Sequence, residues 1–217
     1  SRALRRTDSN VTLEDATNDE DGRSPHQRVY EAIVEDVIDA AAQERIADGP
    51  AFQICVSTPG TSSAPTLRAV IGGAIYEAEQ VVAPTPRPRL SAAVGLEPRL
   101  IDGRKAARNG DLPELIRMAA TVPPAFAPDT WGDEPIYDGG MVDKAPLPDP
   151  DRGRTLVLLT KQFRALPEDA DGDRITYISP SEEILSGGKL DFTDPALVQE
   201  AWDQGRRDGR AWLDSLD

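Results

Sequence analysis

Asp138 closes the run Ile136-Tyr137-Asp138 and is followed at once by Gly139 and Gly140. A carboxylate at the end of an apolar, strand-like run can act as a base, or as the acid that orients one, beside a nucleophile. Two glycines after it let the backbone turn sharply and let other groups come close. A second reading stands beside this one, because Asp-Gly between apolar runs is also a common hairpin signal. On that reading Asp138 lies exposed at a turn and does no chemistry.

The other residue types that carry chemistry are scarce. His26 is the single histidine and lies in a polar stretch, where it is expected to face solvent; a Ser-His-Asp triad would need it docked in the site. Cys55, the single cysteine, sits within the apolar run Ala51–Val56 and reads as a buried structural thiol. One cysteine excludes an internal disulfide and fits a reducing compartment, and with one histidine it leaves no zinc set. No Gly-x-Ser-x-Gly elbow occurs. The nearest approach is Gly60-Thr-Ser-Ser-Ala64, bracketed by Pro59 and Pro65, and Ser62 is read as part of a Ser/Thr/Pro loop. Ser1, ahead of a polar run, is no better placed. Asp169-Ala-Asp-Gly-Asp173 lacks the bidentate Glu of a calcium loop and reads as a turn. Asp102-Gly103 reads as another turn, and Asp143 with Lys144 as a local, solvated pair.

The elements that would position Asp138 follow from pattern. Tyr30, Ile33, Val34, Val37, Ile38 and Ala41 fall on one face of an amphipathic helix over 30–42 that stops near Gly49-Pro50. Its acidic opposite face argues for core packing and against a membrane anchor. Residues 52–56 predict a buried strand, 67–82 a helix, and the prolines at 84, 86 and 88 an extended connection. Leu100 to Gly103 end a strand. Residues 111–120 form a helix with Asp111 as cap and Pro113 in its first turn. Residues 155–160 and 175–179 predict strands covered on both faces, and 195–213 a closing helix. Strands alternating with helices predict an α/β fold: a layered, mostly parallel sheet flanked by helices. Residues 1–27 read as a polar arm or loop and 28–217 as one domain.

Size and charge bound the function. A chain of 217 residues can bury about 70 % of its unfolded surface around one core. A net charge of −14 excludes a nucleic-acid partner, which needs clustered Lys and Arg, and offers no attraction to anionic lipid headgroups. No stretch approaches the length of a membrane span.

Ala119 to Pro128, followed by Asp138-Gly139-Gly140 and Pro146, resembles the second active-site block of the patatin-like phospholipase family. Lys144 stands where that family usually has Asn. Softer likeness runs through Arg154–Thr160, Tyr177–Ser181, Asp191–Asp194 and Gly205–Gly209, so the resemblance covers roughly residues 50 to 213. The resemblance implies a hydrolase of phospholipid or other acyl esters that works without a cofactor or metal. Its implied catalytic pair is a serine on a Gly-x-Ser-x-Gly elbow and the Asp of the Asp-Gly-Gly motif, here Asp138. A histidine-poor chain suits such a dyad. The implied glycine-rich oxyanion segment and the elbow are missing, so the chain is expected to be the C-terminal part of the domain. The nucleophile half would then lie upstream of Ser1, and the isolated chain would be inactive. The implied location is cytoplasmic, peripheral at membranes. The alternative is a non-catalytic interaction or regulatory module that retains the second half of the fold.

Overall fold

The structure, a computed structural model, describes residues 25–60, 64–82, 84–87, 95–123, 129–167, 174–183 and 195–216. The single helix expected over 30–42 is two. Helix α1 spans Pro25–Val37 and α2 spans Ala40–Asp48. The break comes from Asp39, whose Oδ1 accepts the backbone N–H of Ala42 at 2.7 Å and so starts a new helix. Such a side-chain cap is worth about 1 kcal/mol, enough to compete with one continuous helix. Helix α1 also begins inside the span read as a polar arm, with Pro25 at its start, where a missing N–H costs nothing.

Strand β1 (Gln53–Thr58), helix α3 (Pro65–Val82) and strand β2 (Glu97–Asp102) follow, close to the expected elements. Asp102 is not a simple turn. Its carboxylate accepts from the backbone N–H of Arg104 and Lys105 and caps helix α4 (Gly103–Asn109). Helix α5 (Leu112–Met118) starts after Asp111 with Pro113 in its first turn, though Asp111 makes no side-chain cap bond. Strands β3 (Asp129–Trp131) and β4 (Glu134–Asp138) lead into a 3-10 turn at Gly139–Met141. Strands β5 (Thr155–Leu158) and β6 (Ile175–Ile178) and helix α6 (Pro195–Asp214) complete the order.

The class is α/β, but the strands do not form the expected mostly parallel sheet. Strands β2-β1-β4-β3 make a four-stranded sheet in which every neighbouring pair is antiparallel. The alternation of strands and helices along the chain does not set strand direction; the connections do. Gly132-Asp133 joins β3 to β4 as a two-residue turn, with Gly132 at φ +65°, and so short a link allows only antiparallel pairing. Among the described residues, only β5 and β6, separated by a long connection, pair in parallel.

Side-chain alternation along β4 divides the packing. Ile136 joins Val56, Ile101, Leu112, Leu115 and Met118 on the face covered by α2, α4 and α5. Tyr137 points the other way and packs with Ala69 of α3, Leu96, Met141 and Val142. A third cluster, Ala145, Val157, Leu159 and Ile175, holds the β5–β6 pair against the chain that follows the 3-10 turn. Helix α6 is tied in by polar contacts: Gln204 Nε2 donates to the Glu182 carbonyl at 2.8 Å, and the Ser181 N–H donates to Asp208 at 3.0 Å.

Candidate active site

Asp138 is the last residue of β4. It lies opposite Val56 in the centre of the sheet, and its N–H donates to the Thr121 carbonyl at 2.9 Å. The residue is therefore fixed by two neighbours before its side chain makes any contact. The hairpin of this region is at Gly132-Asp133, and Asp138 lies at the opposite end of β4, where that strand stops while β1 and β2 stay paired as far as Gln53.

The carboxylate then turns back on its own chain. Oδ1 accepts the Gly140 N–H at 2.6 Å and caps the 3-10 turn. Gly139 is needed for space and not for an unusual backbone angle, since its φ is not positive. A Cβ built there would lie 2.3 Å from the carbonyl oxygen of Cys55, so the turn presses directly on the backbone of β1. Gly140 is tight as well, with a built Cβ 3.0 Å from Asp138 Oδ1.

Burial raises the Asp138 pKa above the usual aspartate range, partly offset by the Gly140 N–H and the positive charge of Lys144. The carboxylate makes itself felt on two neighbours. Tyr30, from α1, has its phenol pKa raised by burial and then by Asp138. Cys55 is pushed up to about 12 by burial, then by Asp143 and Asp138. The thiol, expected to be buried, is half-buried, and it is kept protonated. At pH 8 it should carry on the order of 1,000-fold less thiolate than an ordinary cysteine. Ellman's reagent should label the folded protein slowly and the urea-unfolded chain at once; equal rates would show that Cys55 lies outside this field.

The segment after the turn is stitched to the proline-rich connection before it. Arg87 pairs with Asp143 at 3.3 Å and donates from Nη2 to the Ala145 carbonyl at 2.7 Å, while the Lys144 N–H donates to the Pro86 carbonyl at 2.8 Å. The local Asp143–Lys144 pair is replaced by two separate contacts, because adjacent side chains point apart. Asp143 goes to Arg87, and Lys144 places Nζ 4.4 Å above the Tyr76 ring of α3. Arg87→Ala removes a cation shared by a half-buried carboxylate and a carbonyl. It should lower stability by about 1–3 kcal/mol, read as a shift in the urea midpoint. Arg87 and Tyr76 were not singled out from the sequence, and Tyr30 was read only as part of an apolar helix face. Their one signal was an arginine between two prolines and two tyrosines at apolar helix positions.

Ser62, Ser1 and Asp169–Asp173 lie outside the described residues. His26 falls in the first turn of α1, and its side chain also lies outside them. Ser57 is one step along β1 from Val56, but strand alternation turns it to the opposite face, opposite Tyr137. Its hydroxyl and that of Tyr137 are buried and make no hydrogen bond among the described residues. No group of three or more metal-ligating side chains is found among the described residues, and no described helix is long and apolar enough to cross a membrane.

A sequence profile of the patatin-like phospholipase family matches residues 9–151, well over half of the chain. The match takes in the whole antiparallel sheet and the Asp-Gly-Gly turn, begins nearer the N-terminus than the motif resemblance, and stops before β5. No curated protein and no solved structure matches the chain.

Proposed function

Because the chain belongs to the patatin-like phospholipase family, we propose that it is the Asp-bearing part of a serine acyl hydrolase. The family supports lipid hydrolysis as the general activity, with phospholipid or neutral acyl esters as substrates. The observation that carries the reading is the state of Asp138: a half-buried, desolvated carboxylate at the end of a central strand, held by one backbone N–H and near the charge of Lys144.

A serine hydroxyl is a weak nucleophile until a neighbour takes its proton. In the proposed reaction Asp138 accepts the serine proton as the serine oxygen attacks the acyl carbonyl. The tetrahedral intermediate then collapses, and the proton passes to the departing alcohol. Water attacks the acyl-serine in the second half, again giving its proton to Asp138, which returns it to the serine as the fatty acid leaves. Burial makes Asp138 a stronger base than a solvated aspartate, because the pKa of a base gains by approaching the working pH. The carboxylate must be ionised to act, so the acid limb of kcat/KM should lie above the ordinary aspartate value of about 4.

The serine would come from polypeptide outside this sequence, since no elbow motif is present. Leu156 and Leu158 support an incomplete sheet: both are exposed on β5, although parallel strands are normally covered on both faces. The missing elbow also favours the second reading, a non-catalytic module that keeps this half of the fold. A p-nitrophenyl butyrate assay separates the two. The chain alone should be inactive, and a longer polypeptide adding a glycine-rich segment and Gly-x-Ser-x-Gly ahead of it should hydrolyse the ester. An inactive longer polypeptide supports the module; an active isolated chain that tolerates Asp138→Asn overturns the dyad.

A further inference from the structure

Helix α3 is apolar on the wrong side for a buried helix. Its inner side is small and seats on the turn that follows Asp138: Ala69 and Gly72 are buried, and a Cβ on Gly73 would lie 3.1 Å from the Met141 methyl. Tyr76, also buried, carries Lys144 over its ring. The outward side is no more polar. Leu67, Val70, Ile71, Ala74, Val81 and Val82 recur at helical spacing and are all exposed, Val81 and Val82 to 79 % and 78 %. None of the six carries charge. The neighbouring cation, Arg68, is turned away, its Nη1 donating to the Pro59 carbonyl at 2.8 Å.

We propose that this outward face of α3 is the surface by which the protein settles on zwitterionic phospholipid, bringing the Asp138 site to its substrate. The proposal rests on the lipid-hydrolase reading and adds the place of contact. A second protein copy fits the face poorly. From Leu67 to Val82 the stripe runs about 23 Å, and at roughly 100° of a helix ~10 Å wide it offers on the order of 200 Å². A stable protein interface needs about 800 Å² per partner. A fluid surface has no such requirement, since side chains enter it singly. Charge selects the lipid: with no cation on the stripe and a net charge of −14 behind it, anionic headgroups are disfavoured and net-neutral ones are not. Location supplies the purpose. The opposite side of the same helix packs on Met141 of the 3-10 turn that follows Asp138, so the stripe belongs to the helix that backs this turn.

The test is flotation of the chain with vesicles, with no turnover required. Phosphatidylcholine vesicles should carry the protein upward, and phosphatidylglycerol vesicles should carry much less. Val81→Glu/Val82→Glu, at the most exposed end, should lower the floated fraction about tenfold or more while the circular dichroism spectrum stays unchanged. Val70→Glu/Ile71→Glu should do the same from the middle of the stripe. Failure of the unaltered chain to float, double variants that float as well as the unaltered chain, or preference for the anionic vesicles overturns the proposal. So does a dimer in size-exclusion chromatography that the double variants convert to monomer, since the stripe would then be a protein interface. Flotation that follows the stripe, in a protein whose serine-bearing form hydrolyses no ester, keeps this inference and removes the enzymatic reading instead.

Discussion

Asp138→Asn should lower kcat of the serine-bearing polypeptide by about 100- to 10,000-fold, the range for loss of a general base, without lowering its stability at neutral pH. The asparagine oxygen can still accept the Gly140 N–H that Asp138 accepts at 2.6 Å, so the turn keeps its cap. What disappears is the proton acceptor. The stability half of the prediction follows from linkage. Burial raises the folded-state pKa of Asp138 above its value in the unfolded chain, so the native state holds this proton more tightly. The resulting contribution is complete below the unfolded value, near 4, and is lost as pH rises through the higher folded value. At pH 7 the folded protein therefore carries a partly desolvated carboxylate at some cost, and the asparagine variant does not. Urea unfolding of the chain at pH 4 and pH 7 should show a variant equal to or more stable than the parent at pH 7, with the gap narrowing in acid. A variant that lost activity only in proportion to lost stability would mark Asp138 as a structural cap.

Gly139→Ala should be the most destabilising single-methyl change in this segment, costing about 3 kcal/mol, the upper part of the range for overpacking. The added carbon would sit 2.3 Å from the Cys55 carbonyl oxygen and 2.6 Å from its carbon. Both belong to β1 backbone, paired with Leu100 of β2 and one residue beyond the last β1–β4 pair at Val56, so neither can yield by a rotamer change. Relief requires the 3-10 turn to lift off the sheet, which would carry Asp138 with it. Gly140→Ala is the useful contrast. Its methyl meets a carboxylate oxygen at 3.0 Å, a group that can swing aside, so stability should fall by about 1 kcal/mol or less while the carboxylate moves. Thermal melts of the two variants measure the difference, and equal melting temperatures would mean that the turn does not press on β1.

How much of this was legible depends on the range of the interaction. The strands at 53–58, 155–158 and 175–178 and the helices at 65–82 and 195–214 were readable because apolar runs, helical spacing and flanking Gly or Pro act over a few residues. The same local grammar misread residues 30–48 as beginning with one helix. A periodic apolar stripe continues through Asp39, and only the cap bond to Ala42 shows that the helix restarts there. Strand direction was not legible either. Alternating elements suit either orientation of β1 against β2 and β4, and the choice lies in where long connections return.

The amino-acid sequence by itself determined the α/β class, the chain's acidity and the run that ends in Asp138-Gly139-Gly140, since each depends on residues adjacent along the chain. Only the tertiary structure decided that Gly139 lies against Cys55, that Asp143 answers to Arg87, and that Lys144 rests on Tyr76. Those contacts join residues from 56 to 84 positions apart. Periodicity carries no information over such distances, because pairing there is set by how whole elements pack and which backbones can approach.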